Sequence, residues 1–326
     1  MATTTTSPPP QQRFVVCDAG VGLRGIAASE AAALVVTSPP YFGCRDYAAS
    51  TNTLSASHTG ASNALGHETT PYEYARHLAD IFGHASSAHY LRQNGSLVIV
   101  IGDTFARKMF SDPAKVEAPI VEKSVIGINY LFCSEMRRRG WRLWQEIIWS
   151  KPSAPPSGAA RFRCNPCHEY VLWFDRNMAE RPFFDSRSIR EEGKTKAGAV
   201  MPPVGGKKYG DYKKPLVSDG QRCRQSVWSI CPSRDKSAHV APFPEDFPEL
   251  WIRACTSDGD TVCDPFAGTR TVERVAKRAG RGCVSFDLRD YIQEKSSLAT
   301  MGDGGGGDDD DDDDDENVTK RHRALE

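Results

Sequence analysis

The sequence predicts an α/β protein, a Rossmann-like and mostly parallel sheet with helices on both faces. Three observations point there. Short apolar runs alternate with helix-like segments along most of the chain. Two of those runs end in polar turns that suit the carboxyl edge of a parallel sheet. A hydrophobic content of 39% over 326 residues supplies the core of one large domain.

The elements follow in order. Phe14 to Cys17 and Leu34 to Val36 read as buried strands around a short Ala-rich helix. Thr70-Pro71-Tyr72-Glu73 has a capping-box pattern with proline at the first helical position, so a helix is expected from there to about Leu91, with Asn94-Gly95 ending it. Ser96 to Ile101 is a strand, Val121 to Arg139 a helix closed by Gly140, and Leu143 to Trp149 and Glu169 to Phe174 are strands. Residues 186–225 are rich in Lys, Arg, Gly and Pro, including Lys207, Lys208, Lys213, Lys214, Arg222 and Arg224, and read as an irregular surface insertion. The alternation then resumes with the strand Val227 to Ile230, a helix over Glu245 to Cys255, the strand Thr261 to Asp264, a helix from Thr271, and the strand Cys283 to Asp287. The domain therefore spans residues 13–300. The Thr/Pro-rich residues 1–12 and the Gly- and Asp-rich residues 301–326 cannot bury enough apolar surface to order, and are expected to be disordered.

The formal net charge of −1 conceals an asymmetry. Residues 303–326 hold 11 acidic and 3 basic residues, leaving 31 acids and 38 bases, about +7, in residues 1–302. A mildly basic folded part permits a nucleic-acid partner without requiring one. Ten cysteines occur, but the first twelve residues lack an apolar core, so reduced thiols in an intracellular protein are expected, nuclear in a eukaryote and cytoplasmic in a prokaryote. Cys164-Asn165-Pro166-Cys167-His168 has no second ligand pair at matching spacing, and no metal is expected. No apolar run reaches the length of a membrane span.

Two constellations carry chemistry. In Leu34-Val35-Val36-Thr37-Ser38-Pro39-Pro40-Tyr41 an apolar strand runs into a turn stiffened by two prolines, which fix φ and remove two amide donors. Such a turn can accept hydrogen bonds through the Ser38 hydroxyl and the Pro39 carbonyl while Tyr41 offers a flat wall. A planar exocyclic amino group is a poor nucleophile because its lone pair is delocalised; accepting both of its N–H hydrogens favours a more pyramidal, reactive nitrogen. These four residues alone fit a Pro-Pro turn with a packed tyrosine equally well. The second constellation is Val262-Cys263-Asp264-Pro265-Phe266-Ala267-Gly268-Thr269, a helix, and Cys283-Val284-Ser285-Phe286-Asp287: half of a dinucleotide-type site, with Asp287 placed to take ribose hydroxyls. The turn has no Lys and one Gly, which disfavours phosphate and allows an adenosine carrying a methionine tail. Alone it would read as a plain βαβ turn.

Together the two turns resemble the amino DNA methyltransferases of the β class, in which the catalytic motif precedes the cofactor motif as if the sheet had been circularly permuted. Ser38 through Tyr47 resembles the extended catalytic loop of that family, and Ile147 to Pro152, His168-Glu169-Tyr170, Phe184-Asp185 and Val227-Trp228 resemble its later strands in order. The resemblance spans Phe14 to Tyr291. It implies an S-adenosylmethionine-dependent methyltransferase fold, with Ser38, Pro39, Pro40 and Tyr41 holding a flipped base. Asp18, Phe243, Asp264, Phe266, Gly268 and Asp287 would bind S-adenosyl-L-methionine. DNA is the implied partner, since an exocyclic amino group is unreachable inside a duplex. The basic insertion and the loop Arg45 to Gly66 are the candidates for gripping it. Arg270 stands where the family usually has a second Gly, and Asn129-Tyr130 replaces a Pro-Trp pair. Ser38 favours cytosine N4, whereas Asp or Asn at that position favours adenine N6. A catalytically inactive DNA-binding relative, and an RNA or protein substrate, are the competing readings.

Overall fold

A computed structural model of the chain describes residues 11–43, 65–153, 162–176, 180–201, 216–233 and 244–293. Met1–Asp290 form one unit and Tyr291–Glu326 a second, of which residues 291–293 are described.

The first unit opens with β1 (Gln12–Val16), α1 (Ala19–Gly25) and β2 (Ala32–Thr37). Next come α2 (Pro71–Phe82), β3 (Leu91–Ile101), α3 (Ile128–Arg138), β4 (Arg142–Ser150) and β5 (His168–Asp175). Four two-residue strands follow: β6 (Glu191–Glu192), β7 (Val200–Met201), β8 (Leu216–Val217) and β9 (Gln221–Arg222). The unit closes with β10 (Val227–Ser229), α4 (Asp246–Cys255), β11 (Thr261–Asp264), α5 (Thr271–Arg278) and β12 (Gly282–Asp287).

Eight strands form one sheet in the order β1-β12-β11-β2-β3-β5-β4-β10. β5 is antiparallel to β3 and to β4, and the remaining pairings are parallel. All six residues of β2 are buried, as a strand covered on both faces requires. The two-residue period of a strand sorts the core into two layers. Val35, Ile99, Ile101 and Phe174 pack on one face with Leu23, Leu78 and Phe132 of α1, α2 and α3. Leu34, Val36, Val98 and Trp173 pack on the other with Trp251 of α4 and Val275 of α5.

Most expected elements are present, with shifted ends. The Thr70 capping box forms as expected, with Thr70 and Glu73 each bonding the other's backbone amide. α2, however, stops at Phe82 rather than near Leu91, because Gly83 takes a positive φ of 65° and caps it. β3 accordingly begins at Leu91 and carries Asn94-Gly95 inside it. α3 begins at Ile128 rather than Val121, since Lys123 and Gly127 both have positive φ. Residues 104–126 instead double back on themselves through the Phe105–Val125 and Phe110–Ile120 bridges. The insertion is less irregular than expected: β6 pairs with β9 and β7 with β8. The expected tail of residues 301–326 lies outside the described residues, as does most of residues 1–12.

α1 seats closely on β12 because Gly22 lacks a side chain: a Cβ there would lie 2.5 Å from the Phe286 ring. Gly22→Val should lower stability by about 1–3 kcal/mol, the usual cost of overpacking. Urea unfolding with an unchanged midpoint would overturn this.

Candidate active site

β2 and β11 are parallel neighbours, with Val35 opposite Cys263. Their last residues therefore arrive side by side at the carboxyl edge of the sheet. There the buried Thr37 donates its hydroxyl to Asp264 Oδ1 at 2.6 Å. The same oxygen accepts the Phe266 amide at 3.2 Å. Burial pushes the Asp264 carboxyl up to about 7, with the nearby Asp287 charge acting in the same direction and the Thr37 and Phe266 hydrogen bonds opposing it. Asp264 thus fastens the strand bearing Ser38 to the turn bearing Phe266 and Gly268.

β12 ends one strand further along, with Asp287 opposite Val16 of β1. Gly268 donates its amide to Asp287 Oδ2 at 2.8 Å and Arg289 donates to Oδ1 at 3.2 Å. Each oxygen of an ionised carboxylate has more than one lone-pair site, so acceptor capacity is left for a pair of hydroxyls. Asp18, two residues past β1, accepts the Val21 amide at 3.0 Å and caps α1. The edge thus gathers Asp18, Asp264, Phe266, Gly268 and Asp287. Phe243 lies outside the described residues. Three carboxyl groups and a turn without Lys suit a ligand presenting hydroxyls and an amine better than one presenting phosphates. The residues therefore fit an adenosine with an amino-acid tail.

Arg270 adopts φ 56° and ψ 39°, the left-handed region that glycine enters freely, which accounts physically for glycine at this place in the family motif. Its guanidinium packs 3.7 Å from the centroid of the Phe14 ring and bonds Asp290 at 2.5 Å.

The Ser38-Pro39-Pro40-Tyr41 turn is held from several sides. Tyr74 of α2 donates its hydroxyl to the Pro40 carbonyl at 2.8 Å. Ser38 donates to the Tyr41 hydroxyl at 3.3 Å. Gly102, just past β3, gives the Tyr41 ring its place, since a Cβ there would lie 2.7 Å from that ring. Glu169 of β5, which is ion-paired to Lys151, lies near enough for its charge to act on the Tyr41 phenol. Burial first, and the Glu169 charge second, hold the Tyr41 phenol well above its ordinary range, so it stays protonated. Beyond the turn, Gly43 donates to the Gly66 carbonyl at 3.0 Å, and Glu68 accepts both the Gly66 amide and His77, closing the neck of the loop whose residues 44–64 lie outside the described ones.

Sequence alone gives no role to four further residues at this edge: Lys151, Glu169, Gly102 and Asp103. Asp103 accepts the Thr104 amide at 2.8 Å and the Gly127 amide at 3.0 Å, tying the end of β3 to the start of α3. The signal for Lys151 and Glu169 is present in the Ile147 to Pro152 and His168 to Tyr170 strings, but only strand pairing joins them to Tyr41. In the basic insertion, by contrast, Arg222 and Arg224 are turned inward onto Glu191, at 3.0 and 3.5 Å, and Arg190 pairs with Asp219. Lys207, Lys208, Lys213 and Lys214 lie outside the described residues. Among the described residues no helix is long and apolar enough to cross a membrane.

Comparison with known proteins agrees with this layout. The model of a DNA methylase family matches residues 32–298. The chain is 28% identical over 302 residues to the type II methyltransferase M.SmaI of Serratia marcescens, covering 88% of this chain and 89% of that protein. It is likewise 28% identical over 269 residues to the type II methyltransferase M.Cfr9I of Citrobacter freundii, covering 78% and 76%. Among solved structures it shares the fold of the cytosine-N4-specific PvuII DNA methyltransferase, with a TM-score of 0.57 and 19% identity over 92% of each chain.

A carboxyl that holds its proton more tightly folded than unfolded contributes stability that is full below the unfolded value of about 4. For Asp264 that contribution is lost as pH rises through about 7. Asp264→Asn keeps an acceptor for Thr37 and removes the titration, so its melting temperature should fall less than that of the unaltered chain between about pH 5 and about pH 8. Equal slopes in the two proteins would refute the shift.

Proposed function

The chain belongs to the DNA methylase family, and from that premise we propose that it transfers the methyl group of S-adenosyl-L-methionine to the exocyclic N4 of a cytosine rotated out of duplex DNA. The observation that carries this reading is the pairing of Thr37 with Asp264 at 2.6 Å, which puts an acceptor-rich turn with an aromatic wall beside a turn that suits an adenosine.

S-adenosyl-L-methionine, when bound, supplies an electrophilic sulfonium methyl. A Thermus thermophilus protein described as a DNA modification methylase, which shares this fold with a TM-score of 0.51, was solved in complex with it. On the protein side, Asp287, oriented by the Gly268 amide, would accept the ribose hydroxyls, and Asp18 would serve the adenine end. Gly268 and Phe266 would hold the methionine portion, on the turn that Asp264 fastens to β2. Ser38 Oγ and the Pro39 carbonyl accept the two amino hydrogens of the base, Tyr41 stacks on its ring, and Pro40 is fixed by Tyr74. Drawing both N–H hydrogens out of the ring plane returns lone-pair density to the nitrogen that must attack. Extruding the nucleotide costs a few kcal/mol of unstacking, offset by contacts in the pocket.

Ser38 at the first position of the turn, rather than Asp or Asn, favours cytosine N4 over adenine N6. For gripping DNA, the loop Arg45 to Gly66 and the basic insertion of residues 186–225 are the candidates; within the insertion Arg222 and Arg224 are paired with Glu191.

The deciding experiment is mass spectrometry of nucleosides from unmethylated DNA incubated with the protein and S-adenosyl-L-methionine. N4-methylcytosine is expected. N6-methyladenine would overturn the reading of Ser38, and no methylated nucleoside from a cofactor-binding protein would overturn DNA methylation itself. Asp287→Ala should weaken cofactor binding by about 1.5–3 kcal/mol, the scale of hydrogen bonds to a charged group. Unchanged affinity in calorimetry would remove Asp287 from the cofactor site.

A further inference from the structure

The backbone at Arg270 lies at φ 56° and ψ 39°, where a β-carbon is strained and a glycine is not. An arginine in that conformation has to be held from outside its own turn. The guanidinium is held by reaching across β12. It lies 3.7 Å from the centroid of the Phe14 ring on β1, whose backbone is paired with Ser285. It also donates to Asp290 Oδ2 at 2.5 Å. The two side chains are only 18% and 13% exposed, so the ion pair is little screened by water or salt.

This ion pair stands beside both of the amides that hold Asp287. Gly268, two residues before Arg270, donates to Asp287 Oδ2 at 2.8 Å. Arg289, next to Asp290, donates to Oδ1 at 3.2 Å. Gly268 and Arg289 both lie outside helices and strands, so the direction of each N–H depends on what fastens its loop. One fastening is the Ala267 amide on the Phe286 carbonyl at 2.9 Å. The Arg270–Asp290 pair is another, and it joins the two loops directly.

We propose that Arg270 is a positioning residue for cofactor recognition: by cross-linking the loop after β11 to the loop after β12 through Asp290, it fixes the two amides that aim the Asp287 carboxylate at a pair of ribose hydroxyls. A carboxylate with one fixed donor on each oxygen cannot turn about its Cβ–Cγ bond, and its remaining lone pairs point in set directions. Two neighbouring hydroxyls need both oxygens at once, whereas a single hydroxyl is satisfied by either. Loosening the loops therefore weakens a ribose more than a 2′-deoxyribose. Arg270 touches no ribose in this scheme and acts through Asp287.

This inference rests on the proposed binding of S-adenosyl-L-methionine, and calorimetry separates the two. The ligands would be S-adenosyl-L-homocysteine, which keeps the adenosine and the amino-acid tail, and its 2′-deoxyribose analogue. Each would be titrated into the unaltered chain, Arg270→Gly, Asp290→Asn, Asp287→Ala and Arg270→Gly combined with Asp287→Ala. Arg270→Gly relieves the backbone and should fold, and Asp290→Asn breaks the ion pair from its other end. Each of these two single variants should bind the ribose ligand about tenfold more weakly, the order of one charge-assisted hydrogen bond, and the deoxy analogue within about threefold of the unaltered chain. Beside Asp287→Ala, Arg270→Gly should add no further loss. A merely structural role would lower the melting temperature and leave the ribose preference as it was. Equal losses for the two ligands, unchanged ribose affinity in Arg270→Gly, or a loss that persists beside Asp287→Ala would each overturn the role. An unaltered chain that binds neither ligand would overturn the cofactor reading itself, a result distinct from a binding protein indifferent to Arg270.

Discussion

One hydrogen bond, from Thr37 to Asp264, joins the two halves of the chemistry. The residues are 227 positions apart, and nothing local to either segment brings them together. Parallel pairing of β2 with β11 does so, and the pair closes the seam at the point where each strand turns into its loop. Because both groups are buried, Thr37 without Asp264 would be a desolvated polar group, a cost of about 1–3 kcal/mol, whereas Asp264 would keep the Phe266 amide alone. The turn that begins at Ser38 and the turn that holds Phe266 and Gly268 are thus held in register by this interaction.

The same seam shows why motif order along the chain matters little to the site. In a parallel sheet every carboxyl end lies along one edge, so the order in which strands are threaded can change while the neighbours at that edge do not. Here the strand ending in Ser38 lies beside the strand ending in Asp264, and the strand ending in Asp287 lies next beyond. β5 is the exception, and an informative one. Running the other way, it offers its amino end to the edge, and so brings Glu169 where no carboxyl-terminal loop supplies a residue.

What is legible in the sequence is whatever a strand must do locally. Thr261 to Asp264 reads correctly because a strand buried on both faces is a short, unbroken apolar run, and the turn after it contains its own stop. The ends of helices are harder. Gly83 is one glycine among many, and its positive φ, which ends α2 nine residues before Leu91, is a property of the backbone that no neighbouring pattern announces. The place of Glu169 is illegible for a different reason. That it comes near Tyr41 depends on strand pairing, and the seat of the Tyr41 ring on the bare Cα of Gly102, both of them long-range facts. The pairing of the insertion's arginines is illegible too, because composition counts charges without showing that Glu191 faces two of them.

Gly102 carries a consequence of its own. With no side chain between strand and ring, the backbone of β3 is the surface against which Tyr41 rests, and the tyrosine has no slack in that direction. A single added methyl at position 102 would be transmitted rather than absorbed: the ring would be pushed aside and its hydroxyl would move away from Ser38. The smallest residue at the site thus acts as a mechanical stop, and its tolerance for change is set by a hydroxyl it never touches.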